Sequence, residues 1–291
     1  MIKTPISAGS LEVIANSNRS LKIPTDHNGT ISHLSFVFYN GTALVTNKAV
    51  ITTAIQSLWL RCSMQSGDAF DIIHQGTTPD KLFHRELFYN GVRGLTNSGS
   101  ILEFDPSTSY AKDAEHKAYL NFGCADVSNL TLDMSFGSTI TGINRVEVFY
   151  ELDSLMVAKL GAHSRIGWTT ITVPAAGGII DIDTLPKGNF KYQALHIGEV
   201  PLMQVGKVSL QINTNGFPMR DVPRVVNDRL LVKNDRTPQA NVFSLDFAKE
   251  DYAAYYLPGQ MSDFKVKPEF VPGSGAVAVT LPVWWEVIYG G

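Results

Sequence analysis

The chain has 291 residues, with 24 lysines and arginines against 27 aspartates and glutamates, a formal net charge of −3 and a sequence pI of about 6.2. This length is sufficient for two domain cores, and the weak acidity argues against a protein whose main task is to neutralise nucleic-acid phosphates. Charged residues make up only 18%, which fits a β-rich domain and a surface buried against neighbours equally well.

Residues 1–17 are polar and contain no apolar run of signal-peptide length. We interpret them as an N-terminal arm, and we expect a protein that is soluble when made and is not secreted by a signal of its own. No stretch approaches the roughly 20 apolar residues that a membrane helix needs.

The first half of the chain is dominated by segments in which apolar and polar residues alternate with period two, the pattern of half-buried β-strands. These segments are 31–41, 57–62, 129–136 and 144–152. A helix through DKLFHREL is predicted after Thr78, because a Thr-Pro pair favours a helix N-terminus. Cys62 and Cys124 lie in apolar alternating segments, and two reduced, buried thiols are favoured over a disulfide.

The second half shows the same alternation after a connecting segment, 151–168, that has lost it. Its alternating segments are 169–173, 178–185, 207–213, 263–270 and 276–288. Asp221 and Pro223 predict the start of a helix through VPRVVNDRLL. The residues that share one face of this helix at helical spacing are Val222, Val225, Val226 and Leu230.

The two halves resemble each other in order and spacing. YLNFGCADVSNLTLDMSF at 119–136 matches YYLPGQMSDFKVKPEF at 255–270, and VEVFYEL matches PVWWEVI, with Val148 and Val283 offset by 135 residues. SLWLRC and VSLQIN also correspond, as do two later segments, at 110–120 and 246–257, that predict a short helix or loop each. A repeat of this length is one domain and not a solenoid unit.

Many short strands and few helices predict an all-β protein. We predict two tandem eight-stranded jelly rolls, a double jelly roll, with a few short helices. The predicted limits are 1–17 for the arm, 18–156 for the first jelly roll and 157–291 for the second.

Motifs of the common enzyme classes are missing from the sequence. It contains no GxGxxG after a strand, GxxxxGK[ST], HExxH, CxxC or GxSxG. His33 and His196 lie on alternating strands and could reach a metal ion, but ordinary strand histidines are the favoured interpretation. We therefore predict no catalytic, cofactor-binding or metal-binding residues.

Acidic side chains offer the remaining candidates for ion binding or hydrolysis. They are Asp68 with Asp71, Asp181 with Asp183, and Asp246 with Glu250 and Asp251. Asp181 and Asp183 would share one strand face and could hold a structural Ca²⁺ between subunits, although a solvated face is favoured. Asp133 and Glu147 could form a sugar-hydrolysing pair only if folding happened to bring them together.

Trp284 and Trp285 are adjacent in a predicted strand and must point to opposite faces. One is expected to fill the core, and the other to face a neighbouring roll, a subunit or a ligand. Packing is favoured, but stacking of these rings, or of Tyr255 or Tyr256, on a sugar stays open.

Three stretches carry a resemblance to a known family. They are NRSLKIPTDHNGTISHLSFVF at 18–38, the strand–turn–strand–helix run at 190–235, and the ending FKVKPEF…VWWEVI. In pattern and order the chain resembles the double jelly-roll major capsid proteins of icosahedral viruses. It is most similar to small members from membrane-containing bacterial viruses, of the corticovirus and finnlakevirus types.

The resemblance implies a structural protein of the virion and not an enzyme. Members of such families form pseudo-hexagonal homotrimers that tile the capsid shell, after assembly in the host cytoplasm. The partners it implies are further copies of the chain, penton and minor capsid proteins, and the internal viral membrane through the arm, with no sequence-specific nucleic acid.

Two other classes stay open. A jelly-roll binding protein, such as a virus spike or a carbohydrate-binding module, would present exposed aromatic rings. A two-domain cupin-type enzyme would need a His-x-His pair, which the sequence lacks, and an amidase-type double jelly roll would need converging acids.

Overall fold

A computed structural model describes residues 4–25, 29–90, 101–104, 122–153, 159–211, 218–247, 257–258 and 264–289. The chain divides into two compact units, the first ending at Ile166 and the second spanning Gly167–Tyr289. The strand His163–Val173 (β10) starts in the first unit and continues into the second.

In its described residues, the first unit contains two antiparallel sheets and two helices. Its strands are β1 (Thr4–Glu12), β2 (Asn18–Ile23), β3 (Thr30–Asn40), β4 (Ala43–Leu44), β5 (Ile55–Met64), β6 (Ala69–Thr77), β7 (Ile101–Phe104), β8 (Val127–Phe136) and β9 (Arg145–Asp153), and its helices are α1 (Lys48–Ala54) and α2 (Pro79–Asn90). One sheet has the order β1-β9-β3, with β4 and β7 both on β3, and the other has the order β2-β8-β5-β6.

The second unit repeats this arrangement. Its further strands are β11 (Gly178–Ile179), β12 (Phe190–Gly198), β13 (Met203–Gln211), β14 (Pro218–Pro223), β15 (Val242–Asp246), β16 (Leu257–Pro258), β17 (Lys265–Pro272) and β18 (Val279–Tyr289), and its helix is α3 (Arg224–Lys233). One sheet has the order β10-β18-β12-β15, with β16 also on β12, and the other has the order β11-β17-β13-β14.

Eight strand positions in one unit have a counterpart in the other. The order β1-β9-β3-β7 corresponds to β10-β18-β12-β15, and β2-β8-β5-β6 corresponds to β11-β17-β13-β14. The sequence matches between β5 and β13, β8 and β17, and β9 and β18 are therefore structural matches as well. Two sheets of this order are the jelly-roll arrangement, and the predicted all-β double jelly roll is confirmed.

Each unit has its own apolar core, because inward positions of the strands alternate with outward ones. In the first unit Phe36, Leu132 and Val148 are fully buried, and in the second Val208 and Val283 are. Burial of one such side chain stabilises the fold by about 1.5–3 kcal/mol.

The N-terminal segment that the sequence assigned to an arm forms a strand of the first unit over Thr4–Glu12. It pairs with β9, and Leu11 is buried in the core together with Val13. The register shifts between Ser7 and Gly9, and Gly9 has φ +133°, where an added Cβ would lie 2.9 Å from Leu21 Cδ1. The second unit begins ten residues after the predicted start at 157.

The two predicted main helices exist, but α3 buries a different face from the one expected. Asn227 and Leu231 are buried, whereas Val225 and Val226 are 76% and 48% exposed. The Asn227 amide is turned inward, where Nδ2 donates to the Ser244 carbonyl at 2.8 Å.

Helix α1 was not predicted from the sequence. Its N-cap is Asn47, whose side chain accepts a hydrogen bond from the Ala49 amide at 2.9 Å. The segments predicted at 110–120 and 246–257 lie outside the described residues, except that Asp246 ends β15, Phe247 follows it and Leu257 starts β16.

Candidate functional site

His33 of β3 contacts a carboxylate on the neighbouring strand. Its Nε2 lies 3.4 Å from Glu103 Oε1 of β7, and the hydrogen bond from His33 is the main reason that the pKa of Glu103 is lowered. In the part of the chain that the structure describes, no three His, Cys, Asp or Glu side chains are arranged to hold a metal ion.

His196 lies at the centre of a buried polar cluster in the second unit. Its neighbours Leu195 and Ile197 point into the core, so that His196 points to the opposite face of the sheet. Its Nδ1 is 2.9 Å from Ser244 Oγ on β15, and its Nε2 is 3.4 Å from Glu286 Oε1 on β18.

The Ser244–His196–Glu286 order is that of an acyl-transfer triad. The side chains of His196 and Glu286 are completely buried, and Ser244 is 2% exposed. A nucleophile must reach the substrate carbonyl, and at this burial Ser244 cannot. The cluster therefore stabilises the sheet through satisfied buried hydrogen bonds and does not form an active site.

Both adjacent tryptophans are used in packing. Trp284 is 4% exposed and stacks on His196 with ring centroids 5.2 Å apart, while Trp285 packs against the core of the second unit. Trp284 therefore offers no accessible ring face for a sugar, and Trp285 is partly buried on the core side of its strand. Tyr255 and Tyr256 lie outside the described residues.

The acidic candidates are dispersed. Asp133 of β8 accepts a hydrogen bond from Ser20, whereas Glu147 of β9 lies in the other sheet and contacts Arg145 at 3.1 Å. These two carboxylates are not brought together for hydrolysis, as the sequence analysis anticipated.

Asp181 and Asp183 are both exposed on either side of Ile182, and Asp181 Oδ2 is 3.6 Å from Lys267 Nζ. An ammonium group beside one of the two carboxylates weakens the attraction of this pair for Ca²⁺. A calcium ion shared between subunits stays a prediction.

The other acidic groups have local partners. Asp68 accepts from Ser66, and Asp71 accepts from Trp59 Nε1 at 2.7 Å. Asp246 is buried and forms an ion pair with Arg236, with Nε and Oδ2 3.0 Å apart. Glu250 and Asp251 lie outside the described residues.

The strongest ion pair of the second unit was not predicted. Arg224, the first residue of α3, donates from Nη1 to Oε1 of Glu199 at 2.6 Å and from Nη2 to Oε2 at 2.8 Å. The Glu199 side chain is fully buried and also accepts from the Val205 amide. Burial raises the pKa of Glu199, while this amide and Arg224 lower it.

Both cysteines are buried and free in the first unit. Burial raises the pKa of Cys62 and that of Cys124 to about 12 each. Their thiols are therefore protonated at neutral pH and unsuited to nucleophilic or metal chemistry.

The described part of the surface contains strand edges and scattered exposed apolar side chains. Strands β1 and β14 stand at sheet ends. The exposed large apolar residues are Ile6, Ile14, Leu44, Ile179, Leu202, Val225, Val226, Val232, Val271 and Val277. None of the described helices has the length and apolar character needed to cross a membrane.

Comparisons with known proteins agree with this picture. Residues 165–288 match the family model of the viral coat protein P2 C-terminal domain. No curated protein sequence matches the chain.

Three solved structures align with almost the whole chain. The major capsid protein P2 of bacteriophage PM2 has a TM-score of 0.75 at 13% identity, over 99% of this chain and 97% of that one. The major capsid protein of Sulfolobus Turreted Icosahedral Virus has 0.68 at 14%, over 98% and 96%. VP54 of PBCV-1 has 0.60 at 11%, over 98% and 93%.

These alignments show that the chain has the double jelly-roll fold of viral major capsid proteins. Its second half is similar to the viral coat protein P2 C-terminal domain. The fold that the sequence resemblance implied is confirmed.

Proposed function

We propose that the chain is a major capsid protein, which forms homotrimers of pseudo-hexagonal outline that tile the shell of an icosahedral virion and which catalyses no reaction. The observation that carries the proposal is the strand-by-strand repetition of one jelly roll in a chain that aligns with capsid proteins over nearly its whole length.

The repetition has a direct geometric consequence for assembly. Two similar rolls in each chain, repeated by a threefold axis, give six similar lobes. A ring of this kind closes through heterologous contacts, in which one roll of a chain meets the other roll of the next. One chain type can then tile a shell without a second gene product at each lobe.

The chemistry of the described residues supports a structural role. The triad-like arrangement found among the described residues, Ser244–His196–Glu286, is buried, and Trp284 and Trp285 pack within the second unit. The favoured partners are further copies of the chain, with penton and minor capsid proteins at other positions of the shell and the viral membrane near its N-terminal segment.

The test is native mass spectrometry with negative-stain imaging of the purified chain. We expect a trimer of 31.9 kDa chains seen as a six-lobed plate. A protein that stays monomeric across concentration, with and without Ca²⁺, would contradict the proposal. Persistence of the trimer in a chelator would exclude a required shared calcium ion while leaving the capsid function intact.

A further inference from the structure

Several described strands pair with a neighbour on one side only, and β1 and β14 are two of them. Strand β1 pairs with β9 on one side, and β14 pairs with β13 on one side. No other strand among the described residues pairs with either of them. Open edges expose backbone donors and acceptors to pairing with another chain, and β1 also carries Ile6, which is 36% exposed.

In the first unit, an edge of this kind is covered by another strand of the chain. Ile166, at the start of β10, pairs in parallel with Ile73 of β6, and both residues belong to the first unit. Ile166 is 3% exposed and is part of the core of that unit. Beside it, the Arg165 guanidinium lies 3.8 Å from the centre of the Phe70 ring. The edge of β6 is therefore closed by the start of β10.

The repeat identifies the counterparts of these two strands. Strand β10 corresponds to β1, because each stands next to the last strand of its unit, and β6 corresponds to β14, because each stands at the end of the other sheet. In the first unit β6 and β10 pair edge to edge. Their counterparts, β14 and β1, each have an outer edge that no other described strand pairs with.

The residue positions correspond as well. Leu11 and Ile171 are the equivalent core residues of β1 and β10, offset by 160 residues. At the same sequence offset Ile166 matches the exposed Ile6, and because β1 has a register shift between Ser7 and Gly9, the structural counterpart of Ile166 lies at Ile6 or one residue from it. The same kind of apolar residue is thus covered at one position and uncovered at the other.

The partner position follows from the sheet register. Ile73 pairs with Leu60 of β5, and the counterpart of Leu60 in β13 is the core residue Leu210. Leu210 pairs with Arg220 of β14. The position that corresponds to Ile73 is therefore 220.

We propose that the outer edge of β1 in one copy of the chain pairs in parallel with the outer edge of β14 in a second copy, with Ile6 close to position 220. This inference rests on the proposed self-assembly and names the surface that forms it. The ladder is short, because Pro5 in β1 and Pro218 and Pro223 in β14 lack a backbone N–H. It resembles in this respect the single Ile166–Ile73 pair.

This pairing has the symmetry that a closed ring requires. Each chain offers one β1 edge and one β14 edge, which are different surfaces, so that the contact is head-to-tail. Such contacts close into a ring when the rotation fits, and neither of these two edges is then open in the product.

The first experiment compares Ile6→Lys with Val277→Lys in the full chain by native mass spectrometry over a range of concentrations. Both replace an exposed apolar side chain, but Val277 lies in the turn before β18. A charge at the paired edge must be desolvated on assembly, and we expect Ile6→Lys to weaken the trimer by roughly tenfold or more. Val277→Lys should assemble like the wild type.

The second experiment locates the contact without depending on stability. A photoreactive benzoylphenylalanine placed at position 6 should cross-link to a peptide that contains residues 218–223, in a product of twice 31.9 kDa. An isotope-labelled mixture of copies shows that the link joins different chains.

The possible results test the proposed edge contact and the proposed capsid function separately. A wild-type trimer whose position-6 cross-links map elsewhere, or which Ile6→Lys leaves unchanged, overturns the proposed edge contact while the capsid function stands. A wild-type chain that never trimerises overturns both. Unfolding of Ile6→Lys, detected by circular dichroism, would make the cross-link map decisive.

Discussion

Replacing Arg224 by Met tests whether the first residue of α3 holds the helix to the second unit. The guanidinium makes a two-pronged contact with Glu199 and also donates to the carbonyls of Val205 and Val242. Removing it leaves a fully buried carboxylate without a countercharge. Such a change costs about 3–5 kcal/mol in the free energy of unfolding.

The assay is urea unfolding followed by tryptophan fluorescence. Three of the four tryptophans, Trp168, Trp284 and Trp285, belong to the second unit, so that the signal reports mainly on that unit. With an m-value of about 2 kcal/mol/M, the expected loss lowers the urea midpoint by about 1.5–2.5 M. The control is Arg229→Met, an exposed arginine of the same helix, which should change stability by less than about 0.5 kcal/mol.

The pH dependence of this loss has a defined sign. Without Arg224, burial raises the pKa of Glu199 further. The folded variant then keeps a proton that the unfolded chain releases near pH 4.3, about the usual glutamate pKa. The free energy of unfolding of the variant therefore falls as the pH rises from this value to the raised pKa of Glu199 in the folded state. The loss should therefore be larger at pH 7 than at pH 5, and adding Glu199→Gln should recover most of it. A loss below about 1 kcal/mol at pH 7, or an equal loss in Arg229→Met, refutes the reasoning.

Three further predictions concern buried groups of the two units. Cys62 and Cys124, with pKa values of about 12, should resist a thiol reagent in the folded chain at pH 8 and react on unfolding, and rapid labelling of the native protein contradicts this. Gly167→Ala should lower the melting temperature and shift tryptophan emission, because its Cβ would lie 2.6 Å from the Trp285 indole, and an unchanged spectrum argues against that packing. Burial lowers the pKa of Lys81 to about 8, so the folded chain releases the Lys81 proton at a lower pH than the unfolded chain does. The free energy of unfolding should therefore rise between about pH 8 and pH 10.4, and it should rise more than in Lys81→Met.

The strands and their repetition could be predicted because they depend on local alternation. Every second residue is buried from Leu130 to Phe136 in β8, from Val146 to Tyr150 in β9 and from Val266 to Phe270 in β17. This local pattern survives sequence divergence, so that the two copies of the fold remain recognisable within the chain. The same reasoning located α2 and α3 through proline near the first turn.

The polar contacts could not be predicted, since they join residues that are distant in the chain. Ser244 and Glu286 are 48 and 90 residues from His196, and Arg224 is 25 residues from Glu199. The face of α3 was misjudged for a related reason. Its valines suggested burial, but Asn227 supplies a hydrogen bond to Ser244 that fixes the inward face.

The different exposure of Ile6 and Ile166 bears on why a chain with the proposed capsid function would keep two copies of one fold. A single roll used six times would present the same edges at every contact, whereas two covalently joined rolls can close one edge within the chain and leave its equivalent open. The edge contact within the chain forms during folding, at an effective concentration set by the covalent linkage. The proposed contact at the open edge forms only when two copies of the chain meet. A chain built in this way folds as a monomer first and assembles second, and its two kinds of contact can diverge in strength independently.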